Sequence, residues 1–491
     1  METNLYNKIR NSAMDMVFKY INSLDMHITK KFKDCNIEMR PVRSNGLWCC
    51  TLLPAILVMY TWFHNVSLLY SLVAYISVAI LVYSILFIIF LTVSSMVLKD
   101  KHYGGCEVSS LLGTLLVYSF SGQGIIFSLL FSIPTVLVYA TLLRITILNF
   151  PKTFTVGEAM ILTQSITLFS LTAAAEIYGV GRSINADEES TLVNVVIITG
   201  LFSVMCILLM LYNLEEKNKT ISNLAFIVAG GAVFMLMSMH IIIGRYCVFQ
   251  LIYFVFFVRN RAQIFLFWLF LTAVAVIVLL VRTKLAIKAT TVTRKSFHVL
   301  ASIVFLSGIL YDPELMKLAA GFGLALLLLA EALRKSKIEP ISSALQAAFD
   351  VYSDEKDCGS LAMTPMYLFA GLACPLVLVP PHSGASLELL SGVLATGVGD
   401  SAASWFGSRW GTRKWPGGNR TLEGTAFNIL TQVLFVYMLD LFELVRSERS
   451  MFRTSVAATF SSLVEANTDQ VDNLVLPLTT LLAFQATWFL C

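Results

Sequence analysis

The sequence predicts an all-α protein that crosses a membrane many times, and three observations carry this prediction. Hydrophobic residues make up 57% of the 491 residues and charged residues only 13%, whereas charged residues form about a quarter of ordinary soluble domains. The mean hydropathy is +0.76, and a soluble fold could not hide so much apolar surface. Apolar stretches long enough to cross a bilayer, roughly 20 residues each, recur from Trp48 to the C-terminus.

Polar segments divide this apolar sequence into about 13 to 15 predicted spanning helices. The clearest separators are residues 99–103, 185–189, 215–220 and 283–295. The predicted spans lie near 48–64, 67–97, 108–142 (two helices), 155–178, 190–213, 222–244, 247–281 (one or two), 296–310, 315–333, 361–380, 384–399, 425–445 and 473–490, with a weaker stretch near 454–464.

The chain divides into three predicted regions. Residues 1–47 are polar and mildly basic and lack the apolar core of a signal peptide. Their cations are expected to flank the first span in accordance with the positive-inside rule. Residues 48–285 are nearly pure Leu, Ile, Val, Phe and Ser and are expected to form a scaffold. Residues 286–491 concentrate charge, Gly and Pro between the spans and are expected to be catalytic, because ionisable groups beside spans usually serve a function.

The cysteines and the net charge indicate no additional site or partner, and one acidic residue has an open role. The nine cysteines show neither a CxxC spacing nor a Cys/His spacing, so the sequence indicates no disulfide framework and no zinc site. The net charge of +4 is too small to indicate a partner. Two acidic residues lie inside apolar sequence of the first half: Glu176 is expected to lie at the membrane interface or to pair with a helix neighbour such as Arg182, and the role of Glu158 stays open.

The most informative segment, residues 399–425, follows an apolar helix that ends at Asp400. A loop is expected after Asp400, and Glu423 closes it just before the next apolar helix. Glycines let backbone N–H groups approach an anion, and fixed cations neutralise phosphate oxygens. The residues expected to bind a nucleotide here are Gly407, Arg409, Gly411, Arg413, Lys414, Gly417, Gly418, Arg420, Thr421, Gly424 and Thr425.

Asp400 and Glu423 are expected to hold Mg²⁺, which takes one or two carboxylates together with substrate phosphates. A basic juxtamembrane loop on anionic headgroups would explain the cations, but it would not explain two carboxylates that bracket them. The chain has no Walker A sequence, so a nucleotide would bind to a structure other than a P-loop.

Three further clusters are candidate parts of the same site. Lys295 and His298 share a helical face at the start of a span with Arg294. Asp354 and Asp357 precede the span near Leu361, where a solvated acidic turn is an equal alternative. The residues expected to line the site before the last span are Glu465, Asp469, Asp472 and Asn473.

These clusters, in this order, resemble the dolichol kinase family, within a wider group of CTP-dependent lipid kinases and phosphatidate cytidylyltransferases. The resemblance covers roughly the last 200 residues strongly, with a weaker echo at Gly157-Glu-Ala159. Its motifs are Arg294-Lys-x-x-His298, Glu331-Ala-Leu-Arg334, Asp354-Glu-Lys-Asp-x-Gly359, Gly399-Asp-Ser401, Trp415-Pro-Gly417, Thr421-x-Glu-Gly-Thr425 and Glu465-Ala-x-Thr-x-Gln-x-Asp-Asn-Leu474.

The resemblance implies an endoplasmic reticulum enzyme that transfers the γ-phosphate of CTP to dolichol and makes dolichyl phosphate for protein glycosylation. It also implies a nucleotide site that faces the cytosol, between Gly407 and Thr425. CTP, the lipid and the bilayer are the expected partners, nucleic acid is not one, and no protein partner is indicated. Relatives commonly carry two lysines before Thr421, whereas this chain has Asn419 and Arg420 and keeps one cation of the two.

Phosphoryl transfer is mostly positioning and charge neutralisation. Lys295 and His298 are expected to reach the transferred group, and the general base stays open among Asp354, Asp357 and His298. One rival is nucleotidyl transfer to phosphatidate on the same fold. A transporter is the other rival, although the unlike halves and the lack of a visible repeat count against it.

Overall fold

A computed structural model describes residues 23–94, 104–180, 188–285, 291–353, 356–381, 386–416, 418, 420–445, 447 and 449–488. Within these ranges the regular structure is helical, and a single antiparallel bridge joins Lys414 and Thr421. This confirms the prediction of an all-α protein.

Ten helices are described before residue 286. They are α1 (23–34), α2 (Leu52–Phe63, after a 3₁₀ turn at Leu47–Thr51), α3 (Leu68–Val93), α4 (Cys106–Ser121), α5 (Ile125–Asn149), α6 (Val156–Ile177), α7 (Glu188–Tyr212), α8 (Ile221–Ile242), α9 (Cys247–Phe256) and α10 (Arg261–Lys284).

Nine helices and one π-helix are described in the remainder of the chain. They are α11 (Thr291–Tyr311), α12 (Pro313–Lys335), α13 (Ile341–Tyr352), α14 (Met363–Leu378), α15 (Ser386–Leu389), the π-helix (Val393–Asp400), α16 (Ser401–Trp410), α17 (Leu422–Leu441), α18 (Ser450–Asn467) and α19 (Asp472–Thr487).

Within the described part of the chain, eight helices are long and apolar enough to cross a membrane by length and composition: α3, α5, α6, α7, α8, α10, α12 and α17. Four shorter apolar helices, α2, α4, α9 and α14, add to them. Every predicted span falls on one or two helices of the structure, because continuous apolar runs of this length have no other stable form in lipid. The protein is therefore a multi-pass membrane protein.

Local capping explains where several helices begin. Thr155 and Glu158 form a reciprocal capping box at the start of α6. Asp312 caps α12, whose first residue is Pro313. Thr421 caps α17 by accepting a hydrogen bond from the Gly424 backbone N–H at 3.1 Å.

Two helices depart from the predicted organisation. The amphipathic helix α13 was not predicted, since its twelve residues contain no continuous apolar run. The expected loop after Asp400 is wrong over residues 401–410, which continue the π-helix as α16. Glycines in this segment suggested a chain break, but Gly407 instead packs against α17, where a Cβ would lie 3.4 Å from the Gly424 Cα.

The helices share their cores across residue 285. One cluster packs α3, α5 and α6 against Met363, Tyr367 and Val471, and a second joins Val193 and Trp268 to α11, α12 and α19. Helix α2 also packs on α19. The division into scaffold and catalytic halves stays a prediction, and the packing places first-half residues next to the segment that begins α19.

Candidate active site

The segment between α16 and α17 folds as a short hairpin. Helix α16 ends at Trp410 with Gly411 as its C-cap, and the backbone N–H of Trp415 donates to the Arg420 carbonyl at 2.9 Å. The Leu422 N–H donates to the Arg413 carbonyl at 2.8 Å. This return of the chain brings Arg420 back beside the beginning of α17.

Arg420 lies in a group of six charged side chains, which we name the charged cluster: Lys295, Lys356, Asp400, Arg420, Glu465 and Asp472. The Arg420 guanidinium donates to Glu465 Oε1 at 2.9 Å and to Asp472 Oδ2 at 2.6 Å. Lys356 Nζ donates to Asp472 Oδ2 at 3.1 Å, and Lys295 Nζ donates to Asp400 Oδ2. Five segments that are distant in sequence therefore meet here.

Arg420 interacts electrostatically with all three carboxylates of the charged cluster. Asp472 raises the pKa of the Arg420 guanidinium most, burial opposes this shift, and Glu465 and Asp400 raise the pKa further. The Arg420 side chain nevertheless keeps 36% of its surface exposed, whereas Glu465 and Asp400 are 4% and 2% exposed. Arg420 is thus a fixed cation that a ligand can still reach.

A cleft of about 220 Å³ opens beside Arg420. Its walls are small or hydroxyl-bearing residues of α16, the first turn of α17 and the end of α18. The lining residues are Ala403, Ser404, Gly407, Ser408, Arg420, Thr421, Gly424, Thr425, Glu465 and Ala466. Such a cleft offers hydroxyl groups, a helix N-terminus and a cation, which are the groups that bind phosphate.

A polar row on α17 supports the buried end of the cluster. Asn428 Nδ2 donates to Glu465 Oε2, and Gln432 Nε2 donates to Asn428 Oδ1 at 2.5 Å. Sequence reasoning missed Asn428 and Gln432, and it also left Lys356 out of the site. The spacing of Gly424, Asn428 and Gln432, four residues apart along an apolar helix, was the signal that could have found them.

His298 and Asn473 meet beside the Lys295–Asp400 pair. His298 is 7% exposed, its Nδ1 lies 3.1 Å from the Arg294 carbonyl oxygen, and its Nε2 lies 3.2 Å from Asn473 Oδ1. A carbonyl can only accept, so Nδ1 carries the proton, and in a neutral ring the Asn473 amide is then turned so that its Nδ2 donates to Nε2. The structure brings together seven of the predicted site residues: Lys295, His298, Asp400, Arg420, Glu465, Asp472 and Asn473.

Glu423 lies apart from Asp400. Its carboxylate accepts from Thr412 Oγ1 at 2.7 Å and from the Arg413 backbone N–H at 3.1 Å. Because Asp400 precedes α16 and Thr412 follows it, the two carboxylates stand at opposite ends of a ten-residue helix, about 15 Å long at 1.5 Å per residue. Among the described residues no group of three His, Cys, Asp or Glu side chains is arranged to hold a metal ion.

The other predicted site residues have varied positions. Thr421, Gly424, Thr425 and Gly407 line the cleft, whereas Arg409, Arg413 and Lys414 have exposed side chains outside its lining. Gly411 ends α16 and Gly418 lies in the hairpin. Asp469 pairs with Arg43 at 3.9 Å on the surface. Asp354, Gly417 and Asn419 lie outside the described residues.

Asp357 and the Glu331–Arg334 pair hold the chain between α13 and α14. Asp357 Oδ1 accepts from the backbone N–H groups of Met363 and Thr364, both at 3.0 Å. Arg334 donates to Glu331 at 2.8 and 2.6 Å and to the Ser360 carbonyl at 3.1 Å. These motif residues therefore fix the segment that presents Lys356 to the charged cluster.

The fold and the site define a multi-pass membrane protein with a polar, cation-bearing cleft. The family model for dolichol kinase matches residues 72–375. The chain is 28% identical to the dolichol kinase of Mus musculus over 403 residues, 78% of this chain and 74% of that protein. It is 30% identical to dolichol kinase sec59 of Schizosaccharomyces pombe over 196 residues, 39% of each chain.

No solved structure matches this chain. The extent of the family match nevertheless settles the class, and the chain belongs to the dolichol kinase family.

Proposed function

We propose that this protein transfers the γ-phosphate of CTP to the hydroxyl of dolichol at the endoplasmic reticulum membrane. Membership of the dolichol kinase family supports the acceptor and the reaction class. The observation that carries the proposal is the cleft beside Arg420, which adjoins the charged cluster and is walled by the first turn of α17. The cleft faces the cytosol in this proposal, since a water-soluble nucleotide must reach it.

The triphosphate would lie in the cleft with its negative charge on Arg420 and on the first turn of α17. Thr421 and Thr425 offer hydroxyl groups there, and helix N-termini favour anions. Lys295, which donates to Asp400, would neutralise the transferred group from α11. The chemistry needs little more from the protein, because phosphoryl transfer depends mainly on positioning and charge.

In the transfer step the dolichol hydroxyl oxygen bonds to the γ-phosphorus of CTP. The bond from that phosphorus to the bridging oxygen breaks, CDP leaves, and the hydroxyl proton passes to a base. Asp357 is a poor base as placed, because its Oδ1 already accepts two backbone N–H groups. His298 interacts electrostatically with Lys295 and Asp400, and we favour its Nε2, once it leaves Asn473, over Asp357 as the base.

The charged cluster fits a divalent cation such as Mg²⁺ that shares its ligands with phosphate oxygens. Asp400 would hold the ion, and Asp472 Oδ1 is a buried carboxylate oxygen with no hydrogen-bond partner among the described residues. Glu423 would join only by leaving Thr412 and Arg413. When bound, the cation supplies charge stabilisation to the phosphates.

The proposal is tested with purified protein in detergent, dolichol and Mg²⁺, in parallel reactions with γ-labelled CTP, γ-labelled ATP and α-labelled CTP. We expect label in the lipid from γ-labelled CTP, with less from ATP and none from α-labelled CTP. Label from α-labelled CTP would instead indicate nucleotidyl transfer to lipid. A folded protein that labels no lipid from any nucleotide would contradict the proposal.

A further inference from the structure

Three consecutive residues connect the first half of the chain to the charged cluster. Gln470 Oε1 accepts from Thr155 Oγ1 at 2.5 Å, and its Nε2 donates to the Ser44 carbonyl at 2.8 Å. The Val471 backbone N–H donates to Glu158 Oε1 at 2.9 Å. Asp472, the next residue, binds Arg420 and Lys356. Contacts from residues before 160 thus determine where the backbone places Asp472.

Glu158 does more than cap its own helix. A capping box requires only that its carboxylate accept the Thr155 N–H, which it does through Oε2 at 3.0 Å. Its other oxygen accepts both the Val471 N–H and a donor from Arg40. The Glu158 side chain is fully buried and that of Arg40 is 4% exposed, so neither charge could stay there without the other.

The backbone next to Glu158 approaches the turn at residues 44–46 closely. The Gly157 N–H donates to the Asn45 carbonyl at 2.9 Å, and a side chain at position 157 would collide with the Gly46 carbonyl. Only a residue without a Cβ lets the start of α6 approach the turn at residues 44–46. That turn holds the Gln470 side chain through Ser44.

We propose that Glu158, with Arg40, is a positioning residue for the phosphoryl transfer. It fixes the backbone at Val471 so that Asp472 holds Arg420 at the cleft. This inference rests on the proposed function, since Arg420 is taken to bind the triphosphate. It assigns to the first half of the chain a direct part in shaping the nucleotide site.

The test is Glu158→Gln, measured as KM and kcat for CTP and for dolichol. Both carboxylate oxygens accept N–H groups, so either orientation of the amide sets an NH₂ group against a backbone donor. Asp472 and Arg420 should then shift, and a small misplacement of a binding group is costly. We expect KM for CTP to rise about tenfold, while KM for dolichol stays as in the wild type.

Glu388→Gln is the matched control. Glu388 is fully buried and paired with Arg453, as Glu158 is with Arg40, but its contacts lie outside the cleft and the charged cluster. We expect it to lower thermal stability and to leave KM for CTP unchanged. If Glu158→Gln likewise lowers only stability, Glu158 is structural and the inference fails.

Arg40→Lys is a milder variant should Glu158→Gln fail to fold. It keeps a positive charge beside Glu158 but loses the guanidinium Nη2 that donates to Glu158 Oε1, so a smaller rise in KM for CTP is expected. An unchanged KM would overturn the inference. Wild-type protein that is inactive with CTP would mark a failure of the proposed function instead.

Discussion

Two buried groups of charge in the second half of the chain have the same chemistry and different surroundings. Arg453 pairs with Glu388, donates to Ser447 Oγ at 2.9 Å and to the Phe484 carbonyl at 3.1 Å, and both side chains are at most 2% exposed. We name this the closed pair. In the charged cluster, Arg420 has comparable partners but remains 36% exposed beside a cleft.

The difference shows that pairing of charges does not by itself mark a functional site. Arg453 is fully enclosed, and its donors are used within the protein. It helps α18 pack against α19. A cation that is fixed by carboxylates and still reachable can exchange part of its contacts for a ligand. The cleft, and not the number of ion pairs, therefore identifies the candidate active site.

Arg420→Met should have the largest effect on activity. It removes the reachable cation and leaves Glu465 and Asp472 without a shared partner. Arg420 is partly exposed, but Glu465 and Asp472 are largely buried, and leaving such carboxylates unpaired typically costs a few kcal/mol, so kcat/KM for CTP should fall on the order of a hundredfold. Arg420→Lys should recover only part of this loss, because a lysine keeps the charge but lacks the planar fork through which Arg420 reaches both Glu465 and Asp472. Equal activity of Arg420→Met and wild type would remove Arg420 from the site.

Glu388→Gln should have the opposite profile. Breaking a buried ion pair costs about 3–5 kcal/mol of stability, so the thermal unfolding midpoint in detergent should fall clearly. The kcat/KM of the protein that remains folded should equal that of the wild type. A loss of activity per folded molecule would show that the closed pair is linked to the reaction and would weaken the comparison.

Gly407→Ala tests the shape of the cleft. An added Cβ would lie 3.0 Å from Thr421 Oγ1 and 3.4 Å from the Gly424 Cα, so α16 and α17 must separate slightly. We expect KM for CTP to rise about fivefold, since small displacements at a binding site are costly. Gly200→Ala is the control, because its Cβ would make only an ordinary contact, 3.6 Å from Met235 Cε. Equal KM values for both variants would mean that the cleft does not hold the nucleotide.

Lys414→Ala should have the smallest effect. The side chain is exposed and outside the cleft lining, so it contributes by attracting the nucleotide over a distance. KM for CTP should rise about twofold at low salt and return to the wild-type value at high salt, because salt screens exposed charges. Lys217→Ala, at another exposed lysine, should have no effect at either salt concentration. A large, salt-independent rise for Lys414→Ala would instead indicate direct contact.

Much of the fold could be predicted from the sequence, because apolar length alone dictates helices in a membrane. Residues that carry charge beside spans, such as Lys295 and Asp400, were also recognisable. The joint metal site expected for Asp400 and Glu423 stays a prediction, and it assumed a loop where the structure has α16, which separates the two carboxylates. The link from Glu158 to Val471 joins residues 313 positions apart, and no local pattern in the sequence indicates such a contact.

The most direct test is lipid labelling by γ-labelled CTP with Asp400→Asn beside Glu388→Gln. The two substitutions remove one buried negative charge each, from the charged cluster and from the closed pair respectively. We predict that Asp400→Asn loses labelled dolichyl phosphate by on the order of a hundredfold, whereas Glu388→Gln retains it per folded molecule. Full labelling by Asp400→Asn would contradict the assignment of phosphoryl transfer to this cleft.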